Sequence, residues 1–293
     1  MNRKLKKVNK SITIILLCQL AGVSESGYYK WLSTTSQREF RLNDELSDYK
    51  LIKTIFFSKE EAAGYRTIVM NLLSEYGVIM NPKKVKRIMK KYNLICKIRK
   101  QKTYGNTFNQ HKIENTYDNL LKTTFDCQTP AAVYHTDITY IKYAHGLKTA
   151  YLSVVKDQAT REIVGYSLAQ SLEISFVLET LDQLKQLKLA EGAIIHSDQG
   201  VHYTSNHYKD KIIELGLKGS MSARGRCVDN APVETFFGHL KDEISLKKIK
   251  DYQELIEKID NYIYDYNHHR PQWTLKKMTP INYRNHLIMN ISA

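Results

Sequence analysis

Residues 133–141, VYHTDITYI, place one carboxylate, Asp137, inside a run of apolar and β-branched side chains. Such a run predicts a buried β-strand. An ionised carboxylate in that setting costs free energy unless it is paired or bound to a metal ion. Asp137 is therefore the first candidate for a functional residue.

Two further acids occupy comparable positions at the ends of predicted elements. Asp198 follows the strand-like segment 193–197, Glu234 opens a helical pattern, and 35 residues lie between the two acids. Pro232, just before Glu234, is a helix start signal. Two aspartates on strands and a glutamate on a helix can meet at one site.

Three carboxylates at one site suit phosphodiester chemistry. Two Mg²⁺ ions about 4 Å apart stabilise both the entering and the leaving oxygen of an in-line displacement. Mg²⁺ prefers hard oxygen ligands and keeps several waters, so two or three carboxylates suffice to hold a pair. The attacking group would be water or a DNA 3′-hydroxyl, and no covalent protein nucleophile is needed.

The helix that starts near Glu234 carries a basic residue on the same stripe. Glu234, Gly238 and Lys241 share one face, and Lys241 lies about 10 Å from Glu234 along the axis. Lys241 could hold a DNA phosphate, with Gly238 allowing close approach, or it is an ordinary solvated lysine. Asp229, a loop or cap residue, and Glu243, a surface charge, are weaker candidates for the third acid.

Four motifs together resemble one known family. They are HTDITY at 135–140, HSDQG at 196–200 with Tyr203, DNAPVETFF at 229–237, and YNHHRP at 266–271 followed by Leu275, Thr279, Pro280 and Arg284. The first three resemble the integrase catalytic core of bacterial insertion-sequence transposases. The fourth is similar to the C-terminal signature of the second-reading-frame product of insertion sequence family three, so the resemblance covers nearly the whole chain.

This resemblance implies a ribonuclease-H-like α/β fold in which Asp137, Asp198 and Glu234 bind two Mg²⁺ ions, with Mn²⁺ as a substitute. It implies DNA strand cleavage and strand transfer at element ends, and it places Lys241 on the DNA near the cut. The implied partners are double-stranded DNA of the terminal repeats and the target, an upstream reading-frame product joined by frameshifting, and further copies of the chain on DNA.

The charge of the chain is divided unevenly. Its 293 residues carry a net charge of +14, and residues 1–115 hold 23 Lys and Arg against 9 Asp and Glu. The remaining residues hold equal numbers of each, so the whole excess lies in the front part. A module that binds DNA phosphates needs such an excess.

The front part contains two segments that predict helix-turn-helix units. In the first, residues 14–20 lead through a turn to Ser24, an N-cap, and to a second helix. We expect the aromatic side chains of that helix, Tyr28, Tyr29 and Trp31, to lie in a core.

The second unit has a helix over 65–76 and another that starts at Asn81 and Pro82, with an apolar stripe and a basic face. A helix that is basic on one side can lie along a DNA groove. The predicted DNA-binding residues of this helix are Lys83, Lys84, Lys86, Arg87, Lys90 and Lys91.

We expect an α/β protein with helical DNA-binding modules in front of a ribonuclease-H-like mixed sheet flanked by helices. The expected division is 1–55 for the first helix-turn-helix-like segment, 56–96 for the second, 97–118 for a linker, 119–248 for the catalytic core and 249–293 for a C-terminal helical extension.

The histidines beside the acids have two interpretations. His135 and His196 could orient the ligands, or they are buried histidines with satisfied hydrogen bonds. The four cysteines are far apart and form no CxxC pair, so neither a disulfide framework nor a zinc knuckle is expected.

The basic start followed by the apolar stretch 12–23 resembles a secretory signal. The stretch is too short to span a membrane, and it has no clear cleavage site. We therefore expect a cytoplasmic protein that acts on nucleoid DNA.

Other classes of protein share part of this pattern. A DNA-binding repressor explains the basic front part but has no use for a clustered acidic triad. A ribonuclease-H-type nuclease uses the same metals but acts on RNA hybrids and needs no basic front part. A glycosidase with paired carboxylates is more remote.

Overall fold

The computed structural model describes residues 13–97, 116–121, 127–223 and 230–291. The linker expected over 97–118 falls almost entirely outside these ranges. Within them, no helix combines the length and the apolar character that crossing a bilayer would need.

The first two described helices form a small pair. Helix α1 (Ile14–Leu20) and helix α2 (Glu25–Ser33) are joined by the expected turn. Tyr29 and Trp31 of α2 are 51% and 57% exposed, so the prediction that they lie in a core is wrong. Two helices this short cannot enclose large rings, and Arg38 instead lies over the Trp31 ring at 4.3 Å.

Three longer helices form the second unit, which has its own core. They are α3 (Thr35–Ser58), α4 (Tyr65–Tyr76) and α5 (Pro82–Lys91). Ile55 and Phe56 of α3 are both buried in the cluster that these helices share. The boundary expected between residues 55 and 56 therefore falls inside one continuous helix and inside its packed face.

Among the described residues, five strands form one mixed sheet. They are β1 (Val133–Tyr143), β2 (Lys148–Asp157), β3 (Ile163–Ala169), β4 (Ile194–Ser197) and β5 (Lys218–Met221). The order across the sheet is β3-β2-β1-β4-β5. Neighbours among β3, β2 and β1 are antiparallel, whereas β4 is parallel to β1 and to β5, which confirms the predicted mixed sheet.

Helices cover both faces of this sheet. They are α6 (Ile174–Asp182) and α7 (Asn206–Glu214) on one face, and α8 (Ala231–Glu243) and α9 (Tyr252–His268) on the other. Strand β2 contributes side chains to the cores on both faces: Leu152 and Val154 pack with α8 and α9, and Val155 packs with α6. This alternation follows from the two-residue period of a strand.

The C-terminal segment belongs to the same core. Leu255 and Ile259 of α9 share a buried cluster with β1, β2 and α8. Helix α10 (Pro280–Ile291) carries Arg284, whose guanidinium pairs with the Glu162 carboxylate at 2.7 and 2.8 Å. The extension expected from residue 249 onward therefore packs directly on the sheet.

Asn267 joins α9 to the start of β3. Its buried side chain accepts a hydrogen bond from the Ile163 amide at 3.0 Å and donates one to the Ile163 carbonyl at 2.9 Å. Because alanine would leave both backbone groups without this partner, Asn267→Ala is expected to lower the free energy of unfolding by about 2 kcal/mol. Urea unfolding measures this loss of free energy. The control is Asn261→Ala, at an exposed position on the same helix. Equal losses from the two variants would contradict the role assigned to Asn267.

Candidate active site

Asp137 and Asp198 lie side by side on neighbouring strands. Strands β1 and β4 run parallel with His135 opposite His196, and Asp198 directly follows β4. Two residues further along, the same register brings Asp137 opposite Asp198. The two strand-borne acids therefore converge as the sequence predicted.

A backbone amide orients each aspartate. Asp137 Oδ1 accepts a hydrogen bond from the Ile138 amide at 2.8 Å, and Asp198 Oδ1 accepts one from the Gly200 amide at 2.8 Å. A Cβ at Gly200 would lie only 2.9 Å from Asp198 Oδ1. A side chain at position 200 would therefore displace this carboxylate.

Glu234 reaches the same region from the first turn of α8, where its side chain is exposed. Buried Asn230 fixes the start of this helix. Its Nδ2 donates to the Thr136 carbonyl at 3.2 Å, and its Oδ1 lies 3.2 Å from Nδ1 of His135. These bonds tie the start of α8 to β1 immediately beside Asp137.

The three carboxylates influence one another's ionisation. Burial, followed by the charges of Asp198 and Glu234, raises the pKa of Asp137 to about 7. Partial desolvation at the site, followed by the charge of Asp198, raises the pKa of Glu234, and partial desolvation raises the pKa of Asp198. Such coupling between carboxylates arises when they share one site.

The donor set of this site fits a hard divalent cation, since carboxylate oxygens are the ligands that Mg²⁺ prefers. Within the described ranges, no group of three or more His, Cys, Asp and Glu side chains is drawn together tightly enough to hold a metal ion. Asp137, Asp198 and Glu234 share one site, but their side chains do not close around a single position.

Known protein families match both the helical front part and the sheet-containing part of this chain. Two families, each described as an integrase core domain, match residues 128–227 and 234–288, and an HTH-like domain family matches residues 41–102. The putative transposase InsK for insertion sequence element IS150 of Escherichia coli strain K12 is 34% identical over 278 residues, which cover 93% of this chain and 94% of InsK. The chain belongs to the insertion-sequence family-three transposases.

Two further similarities accompany this match. Transposase InsF for insertion sequence IS3A, also of Escherichia coli strain K12, is 28% identical over 240 residues, which cover 82% of each chain. The HTLV-2 integrase catalytic core domain, solved in complex with magnesium, covers 53% of the transposase and 97% of its own chain at 17% identity, with a TM-score of 0.42. As a DNA transposase with an integrase core, the protein belongs to the polynucleotidyl transferases.

Lys241 of the transposase reaches towards the acids. Its Nζ donates to Thr139 Oγ1 at 2.5 Å, and Thr139 lies on the same side of β1 as Asp137 because two residues separate them. The Lys241 charge lowers the pKa of Asp137, although burial outweighs it. A phosphate group beside Asp137 would lie close to this ammonium.

The two histidines beside the acids are structural. His135 and His196 are fully buried, and burial lowers the pKa of each to about 4. His196 Nδ1 and Nε2 each lie 2.9 Å from a serine hydroxyl, those of Ser220 and Ser222. Neutral histidines with satisfied ring nitrogens, the second interpretation of the sequence, are therefore confirmed.

The described part of the chain places neither of the two weaker candidates for the third acid, Asp229 and Glu243, at the site. Asp229 lies outside the described residues. Glu243 is partly exposed, as expected of a surface charge, and it pairs with Arg270 at 2.5 Å and accepts a hydrogen bond from the Tyr262 hydroxyl at 3.1 Å. The C-terminal end of α9 brings Arg270 against the end of α8.

The basic helix α5 is partly neutralised within the transposase. Three of its predicted DNA-binding cations form ion pairs with acids of α3: Lys84 with Asp44 at 3.4 Å and with Asp48, Arg87 with Glu45 at 2.5 Å, and Lys91 with Glu45. The other three, Lys83, Lys86 and Lys90, are exposed and form no ion pair with the described part of the chain. The charge pattern of α5 alone could not separate these two groups.

Sequence reasoning missed one buried cation. Lys156 of β2 is 3% exposed, and its Nζ donates to the Pro232 carbonyl in the first turn of α8 at 2.7 Å. A lysine inside the apolar strand 149–157 was the signal that could have identified it. Its position links β2 to the helix that carries Glu234.

Proposed function

We propose that Asp137, Asp198 and Glu234 are the catalytic and metal-binding residues of the transposase, and that they hold two Mg²⁺ ions, which Mn²⁺ can replace. The observation that carries the proposal is the parallel register of β1 and β4, which places Asp137 opposite Asp198 beside the first turn of α8, where Glu234 lies. When bound, the ions would stabilise the entering and leaving oxygens of an in-line phosphoryl displacement.

The protein's own residues would orient this reaction. Asn230 holds the start of α8, and the Gly200 amide holds the Asp198 carboxylate. Lys241 would supply positive charge beside the phosphate that is cut. The attacking oxygen would come from water in cleavage and from a DNA 3′-hydroxyl in strand transfer, and the leaving oxygen would remain on the departing strand.

We propose that the front of the transposase, residues 1–96, binds the terminal repeats, and that 97–118 links it to the catalytic core at 119–248 and the helices of 249–293. The HTH-like match over residues 41–102 supports DNA binding by this part. The exposed apolar side chains of α1 and α2, such as Leu17 and Leu20, suit association with further copies or with an upstream reading-frame product. Acting on bacterial DNA, the protein would work in the cytoplasm at the nucleoid.

The unpaired cations of α5 are expected to contribute more to DNA binding than the paired ones. Replacing both Lys83 and Lys86 with glutamine should reduce the slope of log K against log salt by about 0.9 for each DNA phosphate that the variant no longer neutralises. Fluorescence anisotropy with an element-end duplex measures this slope. The matched control replaces Lys84 and Lys91, which already neutralise acids of α3; an equal or larger change from the control pair would contradict the assignment.

Strand cleavage tests the proposed function. The protein and its Asp198→Asn variant are incubated with Mg²⁺ and plasmid carrying the element's own ends, and cut and joined strands are mapped at nucleotide resolution. We expect cleavage at the 3′ ends by the parent alone, whereas equal cleavage by the variant would reject the triad. If both bind and neither cuts, the same pair is compared as a fusion to the upstream product. Cutting of an RNA–DNA hybrid instead of element ends would indicate a ribonuclease-H-type nuclease.

A further inference from the structure

A cavity of about 540 Å³ lies beside α8, next to the stripe that carries Glu234 and Lys241. Thr235 and His239 of α8 line it, and these positions form the adjacent stripe of the helix. The same helix therefore presents Glu234 and Lys241 along one stripe and borders this cavity along the next.

Four cations from different parts of the fold line the cavity. They are Lys156 of β2, Arg161 of the turn between β2 and β3, Arg270 after α9 and Arg66 of α4. No acidic side chain of the described residues lines the cavity. Glu243 pairs with Arg270 from outside it, so the positive charge within is only partly offset.

Lys156 is the most deeply placed of these cations. Among the described residues, the Pro232 carbonyl is the one hydrogen-bond acceptor for its Nζ, while the rings of Phe236 and Tyr266 lie 6.0 and 5.7 Å away. An ammonium can donate three hydrogen bonds. Burying it with one acceptor and no carboxylate costs free energy, which an anion in the cavity would offset.

Arg161 is held in an unusual backbone conformation. Its φ is +63°, in the left-handed region that non-glycine residues seldom adopt. Such strain persists only where surrounding contacts maintain it. Here it places an arginine at the cavity wall, in the turn that directly follows the strand of Lys156.

Desolvation and the positive charges around the cavity lower the pKa values of two basic groups in its wall. Burial, then the charges of Arg161 and Arg270, lowers the pKa of Lys156 well below its usual value. Partial desolvation, then the charges of Arg270 and Lys156, lowers the pKa of His239 to about 4. Both directions are those that a bound anion would reverse.

We propose that this cavity binds a phosphate group of the DNA backbone next to the one at the active site. The inference rests on the proposed DNA cleavage function and adds a second phosphate-binding site to it. Guanidinium groups match phosphate geometry, and the amino end of α8, at Ala231 and Pro232, favours an anion. A strand bound there would be anchored on the helix that carries Glu234, so Lys156 and Arg161 are positioning residues.

The salt dependence of DNA binding tests this assignment in the full chain. Arg161→Asn removes the charge while asparagine tolerates the left-handed backbone. With an element-end duplex as the probe, this variant should bind about tenfold more weakly, and its slope of log K against log salt should be smaller by about 0.9. Lys209→Gln on α7, an exposed lysine on the other face of the sheet, is the matched control and should change neither beyond error.

Lys156→Met provides a second variant that keeps the volume but removes the charge. It is expected to melt at or above the temperature of the parent, because a buried charge is replaced by an apolar chain, and yet to bind the duplex more weakly. If Lys156 were only structural, its replacement would not make the protein more stable and, at the same time, weaken DNA binding. Unchanged slopes for both variants, with the parent binding and cutting normally, would overturn this inference and leave the proposed function intact.

Inorganic phosphate distinguishes the source of the anion. Sodium phosphate and sodium chloride are compared at equal ionic strength by thermal melting. A melting-temperature rise specific to phosphate that Arg161→Asn abolishes, together with an unchanged DNA slope, would show a site for free phosphate and would overturn DNA binding at the cavity. A parent that binds no DNA would overturn both this inference and the proposed function.

Discussion

Asp137→Asn is expected to slow strand cleavage at element ends by at least about a thousandfold, equivalent to about 4 kcal/mol of transition-state stabilisation. An amide oxygen carries neither the charge nor the basicity of a carboxylate, so it binds a divalent cation poorly. Asp137 is the acid most strongly coupled to the other two, with its pKa raised to about 7. Single-turnover cleavage with Mg²⁺ measures the loss.

The same substitution should leave the metal-free protein at least as stable as the parent. A raised carboxylate pKa means that ionisation near neutral pH costs folding free energy, and asparagine removes that cost. Melting in a chelator tests this, with Asp210→Asn on α7 as a control at an exposed position. A rate within tenfold of the parent, or a rate loss that simply follows unfolding, would contradict the role of Asp137.

Acid is expected to destabilise the fold through its buried histidines. Burial lowers the pKa of His196 from 6.5 to about 4, so below pH 6.5 the unfolded chain binds a proton that the folded chain does not. Stability is therefore fully present above pH 6.5 and is lost as the pH falls towards 4, by about 3 kcal/mol in total. His135 shifts in the same direction for the same reason and adds to the loss.

Urea unfolding between pH 7.5 and pH 4.5 measures this dependence. His196→Gln should be less stable than the parent at pH 7.5 because the two serine partners lose the ring, but its stability should fall with a slope smaller by about 1.4 kcal/mol per pH unit. His207→Gln, an exposed position on α7, is the matched control. Parallel profiles for the parent and His196→Gln would contradict the role assigned to this histidine.

The sheet and the acidic site were largely predictable because their signals are local. The strands of the core show alternating or continuous apolar patterns, and Asp198 and Glu234 each stand at the edge of a predicted element. Parallel pairing of β1 with β4 then places Asp137 opposite Asp198. The stripe of α8 that carries Glu234 and Lys241 follows from the helical period alone.

Features that depend on distant partners were not predictable. The cations of α5 meet acids of α3 that lie about 40 residues earlier, as Lys84 does with Asp44. The exposure of Trp31 depends on how few neighbours its short helix has. The C-terminal motif suggested a family, but only the fold shows that Asn267 holds the start of β3 and that Arg284 holds Glu162.

The most direct test of the proposed site is anomalous diffraction from crystals of the transposase soaked in Mn²⁺. We predict anomalous peaks among the carboxylates of Asp137, Asp198 and Glu234, and their loss in crystals of Asp198→Asn. The contradicting result is the absence of peaks there, or peaks bound elsewhere, for protein that cleaves element ends in the same Mn²⁺ solution.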